Sequence, residues 1–118
     1  MKANLYIYST NYYSNKFLEY NHYILKRANP KLRFKWFVCD QTPIPIEPGY
    51  DILRHKEFVI VNRDNDEQGS ISHGNGLNFI LKYARENHHK VDYHLVLDPD
   101  CILFYPIDKL IFNKRRQE

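Results

Sequence analysis

The sequence predicts an α/β domain: a mostly parallel sheet with helices on both faces. Three observations lead there. Short apolar segments rich in β-branched and aromatic residues alternate with segments of helical period, in the order β-α-β-β-α-β-β-(α). Those short segments are apolar in continuous runs, as in strands covered on both faces, and do not alternate as half-exposed strands do. Small polar or acidic residues follow each run, at the strand ends where open parallel sheets bind ligands.

Each element has its own signal. Residues 5–9 (Leu-Tyr-Ile-Tyr-Ser) read as the first strand. Residues 11–14 are a polar turn with Ser14 as a candidate helix N-cap. Phe17, Leu18, Asn21, Ile24, Leu25 and Ala28 then share one face of a helix that Asn29-Pro30 stops. Residues 34–39 form the second strand, ending at Asp40. The four breakers Pro43, Pro45, Pro48 and Gly49 make the next stretch a surface connection. Residues 58–61 (Phe-Val-Ile-Val) are the third strand, and residues 62–70 a polar loop. A second helix runs from about Gly74 to Asn87, with Leu77, Ile80, Leu81 and Ala84 on its inner face. Residues 93–97 are the fourth strand, leading through Asp98-Pro99-Asp100 into a fifth at 101–105. Residues 107–112 open a further helix. No repeat, low-complexity tract or linker interrupts the chain, so residues 1–118 read as one domain.

Composition narrows the function classes. Of the formal charge of +3, as much is carried by the terminal run Lys114-Arg115-Arg116, a solvated tail, and no basic stripe of a nucleic-acid binder is visible. No apolar run approaches the ~20 residues of a membrane span, and the start carries no secretory signal. A cytoplasmic protein is the expectation. Cys39 and Cys101 fit neither a disulfide framework nor a zinc site and read as two reduced, buried thiols. No nucleophile elbow is present, and neither cysteine has an evident catalytic partner. His88-His89 lies near a helix end without metal-ligand spacing. His94 falls in the fourth strand, either satisfied inside or at an edge.

The strand ends hold the candidate chemistry: Ser9, Thr10 and Asn11 after strand one, Asp40 after strand two, residues 62–65 after strand three, and Asp98 with Asp100 after strand four. Asp and Pro are ordinary turn residues, so Asp98-Pro99-Asp100 alone reads as a strand-terminating turn. Two carboxylates one residue apart can also meet at a single point when the backbone turns. Such hard oxygen ligands suit Mg²⁺ or Mn²⁺, which bind substrate phosphates through one or two protein carboxylates. The glycine-rich segment 69–76 either cradles a phosphate on its N–H groups or makes a tight approach to the helix, capped by Ser72 or Asn75.

Four segments in order carry a resemblance. The run 93–104 around Asp98-Pro99-Asp100 resembles the strand-plus-Asp-x-Asp segment of family 2-like glycosyltransferases of the GT-A, Rossmann-like fold. Residues 68–78 (Gln-Gly-Ser-Ile-Ser-His-Gly-Asn-Gly-Leu-Asn) resemble the loop and helix before it. The opening strand into Ser9-Thr10-Asn11-Tyr12 and the acidic end of Trp36-Phe37-Val38-Cys39-Asp40 match as well. The resemblance spans residues 4–112. It implies a nucleotide diphosphate sugar as ligand, UDP-sugar favoured, and Mn²⁺ or Mg²⁺ as cofactor. It places the nucleoside at Thr10, flanked by Ser9 and Asn11, and the base at Asp40. Asp98 takes the ribose side and Asp100 the metal side. Where the family often has an arginine near the base or phosphate, this chain has His73.

Glycosyl transfer is therefore the expected activity, with a non-catalytic nucleotide-sugar-binding module as the alternative and a plain interaction domain behind both. A nucleotidyltransferase would need a basic glycine-rich turn after strand one, which is missing. Only 18 residues follow Asp100, and no acceptor half or general base is recognisable among them. A minimal protein, a truncated one, or a homo-oligomer or second subunit completing the site would each account for that.

Overall fold

The computed structural model describes residues 3–42, 55–63, 69–101 and 107. It has an α/β architecture: a four-stranded, all-parallel sheet and two helices, compatible with a small Rossmann-like fold. The elements are β1 (Leu5–Asn11), α1 (Asn15–Ala28), β2 (Phe34–Asp40), β3 (Phe58–Asn62), α2 (Gly69–Asn87) and β4 (Tyr93–Val96). Strand order is β3-β2-β1-β4. β1 pairs with β2 from Leu5↔Phe34 to Asn11↔Asp40, and with β4 from Leu5↔Tyr93 to Tyr8↔Val96. The two central strands are buried almost throughout, which is why they read as unbroken apolar runs. β4, at an edge, alternates between partly buried and exposed, and so leaves His94 and Val96 in solvent.

Helices cover both faces. On one, Leu18 and Leu25 of α1 pack with Leu5, Ile7, Phe34, Trp36 and Val38. On the other, Ile80 and Ala84 of α2 pack with Tyr6, Tyr8, Phe37 and Cys39. The alternating side chains of β1 and β2 thus divide between two cores.

Several boundaries differ from the sequence expectation. β1 continues to Asn11, because its pairing with β2 extends to Asp40. Ser14 stands at the N-cap of α1, but its hydroxyl caps no helix N–H, and Asn11 braces the turn instead. Asn11 Oδ1 accepts the Ser14 N–H at 3.0 Å, while Ser14 Oγ donates to the Tyr12 carbonyl at 3.2 Å. Tyr13 takes a left-handed backbone (φ 55°) there, held by its N–H donating to Thr42 Oγ1 at 3.1 Å. α2 starts at Gly69, so Gly74, Gly76, Ser72 and Asn75 are helix interior, neither a phosphate loop nor caps. Phe17 and Leu81 face solvent, since Asn21 and His22 take the inner face of α1 and Ile80 and Ala84 that of α2. Cys101 is exposed and only Cys39 is buried. The proline-rich connection, most of residues 101–112 and the basic tail lie outside the described residues.

α1 ends where Asn29 donates through both its N–H and its side-chain amide to the Leu25 carbonyl, at 2.9 and 3.1 Å, before Pro30. Its inner face carries a buried polar cluster. His22 Nε2 lies 2.8 Å from Glu57 Oε1, and Lys26 Nζ is 3.4 Å from Oε2. His55 stacks on His22, centroids 4.2 Å apart. Burial holds the His22 pKa below its ordinary value, aided by His55 and Lys26 and opposed by Glu57. Burial pushes Glu57 up, but the His22 hydrogen bond and Lys26 outweigh it and hold the carboxyl low.

Both directions have the same consequence. Below the ordinary histidine value of about 6.5 the unfolded chain takes a proton at His22 that the native state resists, and the same holds for Glu57 below about 4.3. Stability is therefore expected to fall as pH drops from 7 to 5 and again below pH 5. Urea midpoints across that range check it. His22→Gln should flatten the upper part of the profile; a parent midpoint constant from pH 7 to 5 contradicts the assignment.

Candidate functional site

The strand order makes a switch point. From β1 the chain runs outward through β2 to β3, then returns to place β4 on the other side of β1. Parallel sheets open a crevice outside the carboxyl ends of the strands at such a point. Thr10 and Asn11 end β1 and Asp98 follows β4, so they flank it.

The Asp98-Pro99-Asp100 turn is fixed from two sides. The Cys101 N–H donates to the Asp98 carbonyl at 2.9 Å, closing a four-residue turn. Asn21, fully buried on α1, donates its amide to the Cys101 carbonyl. On its sheet side the Leu97 N–H bonds the Tyr8 carbonyl at 2.9 Å, carrying the ladder past β4. The turn leaves Asp98, Asp100 and Cys101 exposed, with one donor atom from each within 4.8 Å of the others. Two solvent-facing carboxylates fit a hard divalent cation, and the thiol beside them is a softer donor that would also admit Zn²⁺.

His73, on the first turns of α2, bridges the crevice. Its Nδ1 is 2.9 Å from Thr10 Oγ1 and its Nε2 is 3.6 Å from Asp98 Oδ1. One tautomer serves both: the Thr10 hydroxyl donates to Nδ1, and Nε2–H faces the carboxylate. His73 thus links Thr10 to Asp98, and Asp100 lies beside Asp98.

The other candidates sit deeper. Ser9 Oγ accepts from Trp36 Nε1 at 2.9 Å and donates to the Leu97 carbonyl, which uses it as a strut between β2, β1 and β4. Asp40, 2% exposed, accepts the Thr42 N–H at 3.1 Å and the Asn11 amide at 3.3 Å on the same oxygen. Asn11 also donates to Asn15. These two residues shape the β1 and β2 ends from inside. Burial pushes the Cys39 thiol up to about 11, with Asp40 adding to the rise and Arg63 opposing it, so Cys39 stays protonated.

Sequence reasoning missed a second layer. Gln41 Oε1 accepts from Arg63 Nη1 at 2.7 Å and Ser72 Oγ at 3.4 Å, joining the β2 and β3 ends to α2. Arg63 lies in the strand-end range 62–65 that the sequence offers, whereas Gln41 is the new member, its one signal being that it directly follows β2. Among the described residues no helix is long and apolar enough to cross a membrane. No protein-family model matches the chain, and no curated protein matches it either.

Proposed function

We propose that the domain binds a nucleotide diphosphate sugar through a divalent cation at Asp98 and Asp100, as the donor half of a glycosyltransferase. The observation that carries the reading is the exposed carboxylate pair beside Thr10 and His73 at the switch point of a parallel sheet. The resemblance of residues 93–104 and 68–78 to family 2-like glycosyltransferases supports it. Asp98 and Asp100 would hold Mn²⁺ or Mg²⁺, which when bound supplies charge stabilisation for a departing diphosphate. Thr10 orients the nucleoside, Asp98 also faces the ribose, and His73 offers an N–H to a phosphate oxygen. Asp40 acts here by holding Asn11 and the 41–42 backbone, not by reaching the base. The acceptor surface and a general base come, in this reading, from outside the described residues.

Melting curves with UDP, GDP and their sugars test this. Stabilisation should require Mn²⁺ or Mg²⁺ and reach about 2.7 kcal/mol at a hundredfold excess over Kd, on the order of 10 °C for a chain of this size. Asp98→Asn and Asp100→Asn should each remove the shift without lowering the ligand-free Tm. No shift with any nucleotide retires the proposal. Release of free UDP from a UDP-sugar, lost in Asp100→Asn, separates an enzyme from a binding module.

A further inference from the structure

The opposite end of the sheet has the opposite electrostatic character. A cavity of about 760 Å³ lies where the chain comes into β1, β2 and β3, floored in part by Ala3, Leu32 and Phe34. Five cations line it: Lys26 from the last turn of α1, Lys31 and Arg33 from the α1–β2 connection, Lys35 from β2, and Lys56 from the approach to β3. Lys26, Lys31, Arg33 and Lys35 follow one another from the end of α1 into β2, and the parallel topology, which brings the strand starts to one rim, adds Lys56 from the approach to β3.

Among the described residues Glu57 is the one acid lining the cavity, and its two oxygens are occupied by His22 and Lys26. Lys35 lies against His88, at 3.2 Å, a further basic group. Among the described residues Lys31, Arg33 and Lys56 have no carboxylate partner and are exposed. The last turn of α1 favours Lys26 through the helix dipole, but that does not account for the other four. Clefts lined by one sign of charge over low-dielectric walls concentrate the field and the matching counter-ion. A concave wall also lets cations converge on a compact ligand, whereas a flat membrane or a duplex would meet only its rim.

The geometry points to a binding site for a compact, multiply charged phosphate anion in this cavity, separate from the carboxylate rim and independent of any divalent cation. The site takes adjacent phosphate groups in the manner of a triphosphate, with Arg33 as the planar fork and the lysines as point charges.

Isothermal titration of the full chain with inorganic tripolyphosphate, in EDTA, is the test. Saturable binding is expected, weakening as salt is raised from about 0.05 to 0.5 M through screening. Lys31→Glu/Arg33→Glu should weaken it at least ~10-fold, one decade corresponding to 1.4 kcal/mol, and Lys31→Gln/Arg33→Gln should fall between. Because these side chains are exposed, unchanged ligand-free Tm values are expected in both. Asp98→Asn/Asp100→Asn should bind as the parent does, which separates this site from the proposed nucleotide-sugar site. No binding by the parent overturns the proposal, as does equal binding by the charge-reversed variant. Flotation with anionic phospholipid vesicles without tripolyphosphate binding overturns it in favour of a membrane-facing patch.

Discussion

Replacing Trp36 with alanine is expected to destabilise the domain by about 3–5 kcal/mol, a large share of the total stability of a domain this size. Trp36 is fully buried on β2, with its ring 5.2 Å from that of Phe58 and packed within the α1-side core. Truncation opens a cavity in the middle of the sheet and also removes the indole N–H from Ser9 Oγ. Trp36→Phe separates the two effects. It keeps most of the volume and leaves one buried acceptor unpaired, at a cost of roughly 1–3 kcal/mol. Chemical denaturation followed by far-UV circular dichroism is the measurement, since the sole tryptophan is the one removed. A loss under ~1 kcal/mol in Trp36→Ala would mean that the Trp36–Ser9–Leu97 link does not hold the three strands together.

That link marks the limit of what the sequence could say about the site. Ser9 looked like a rim residue because it follows an apolar run. Its partner Trp36 is 27 residues away and Leu97 is 88 away. Asp40 is a similar case: its position at a strand end was legible, but its engagement by Asn11 and the Thr42 N–H depends on the β1–β2 register. Gln41 was missed for the same reason, and Arg63, inside the strand-end range 62–65, gains its partner only once β2, β3 and α2 meet. The carboxylate pair was legible because its geometry is local, set within the four residues Asp98 to Cys101.

The fold was legible where burial alone dictates residue type. β1 and β2 are sealed on both faces, and the sequence shows unbroken apolar runs there. Legibility failed at the start of α2. Gly69-Ser-Ile-Ser-His-Gly-Asn-Gly has poor intrinsic helix propensity, and the segment is helical all the same. Packing decides it. Ser72 reaches Gln41, His73 reaches Thr10, and Gly76 lies against both strand ends. Tertiary contact overrides local preference on the turns of α2 that deliver His73 to the crevice.

Gly74 and Gly76 should therefore respond oppositely to alanine. At Gly74 an added Cβ meets nothing within 4 Å, and the helix gains roughly 0.5–1 kcal/mol from the less flexible residue. At Gly76 the same atom would come within 2.8 Å of both Gln41 Nε2 and Thr10 Cγ2. Neither neighbour can yield freely. Thr10 is buried in the β1–β2 ladder, and Gln41, also buried, is tied to Arg63 and Ser72. Overpacking of this kind costs about 1–3 kcal/mol, so the propensity gain is outweighed and Gly76→Ala is expected to lose about 1–2 kcal/mol net. Valine at the same position adds two methyl groups to the clash and should lose more. The displacement falls on Thr10, the partner of His73, so Gly76→Val should also weaken any cation-dependent nucleotide response while Gly74→Ala leaves it intact. Paired melting curves with and without UDP and Mn²⁺ read both effects. Equal stability changes at the two glycines would contradict the close approach of α2 to the strand ends, and with it the physical basis for placing His73 at the crevice.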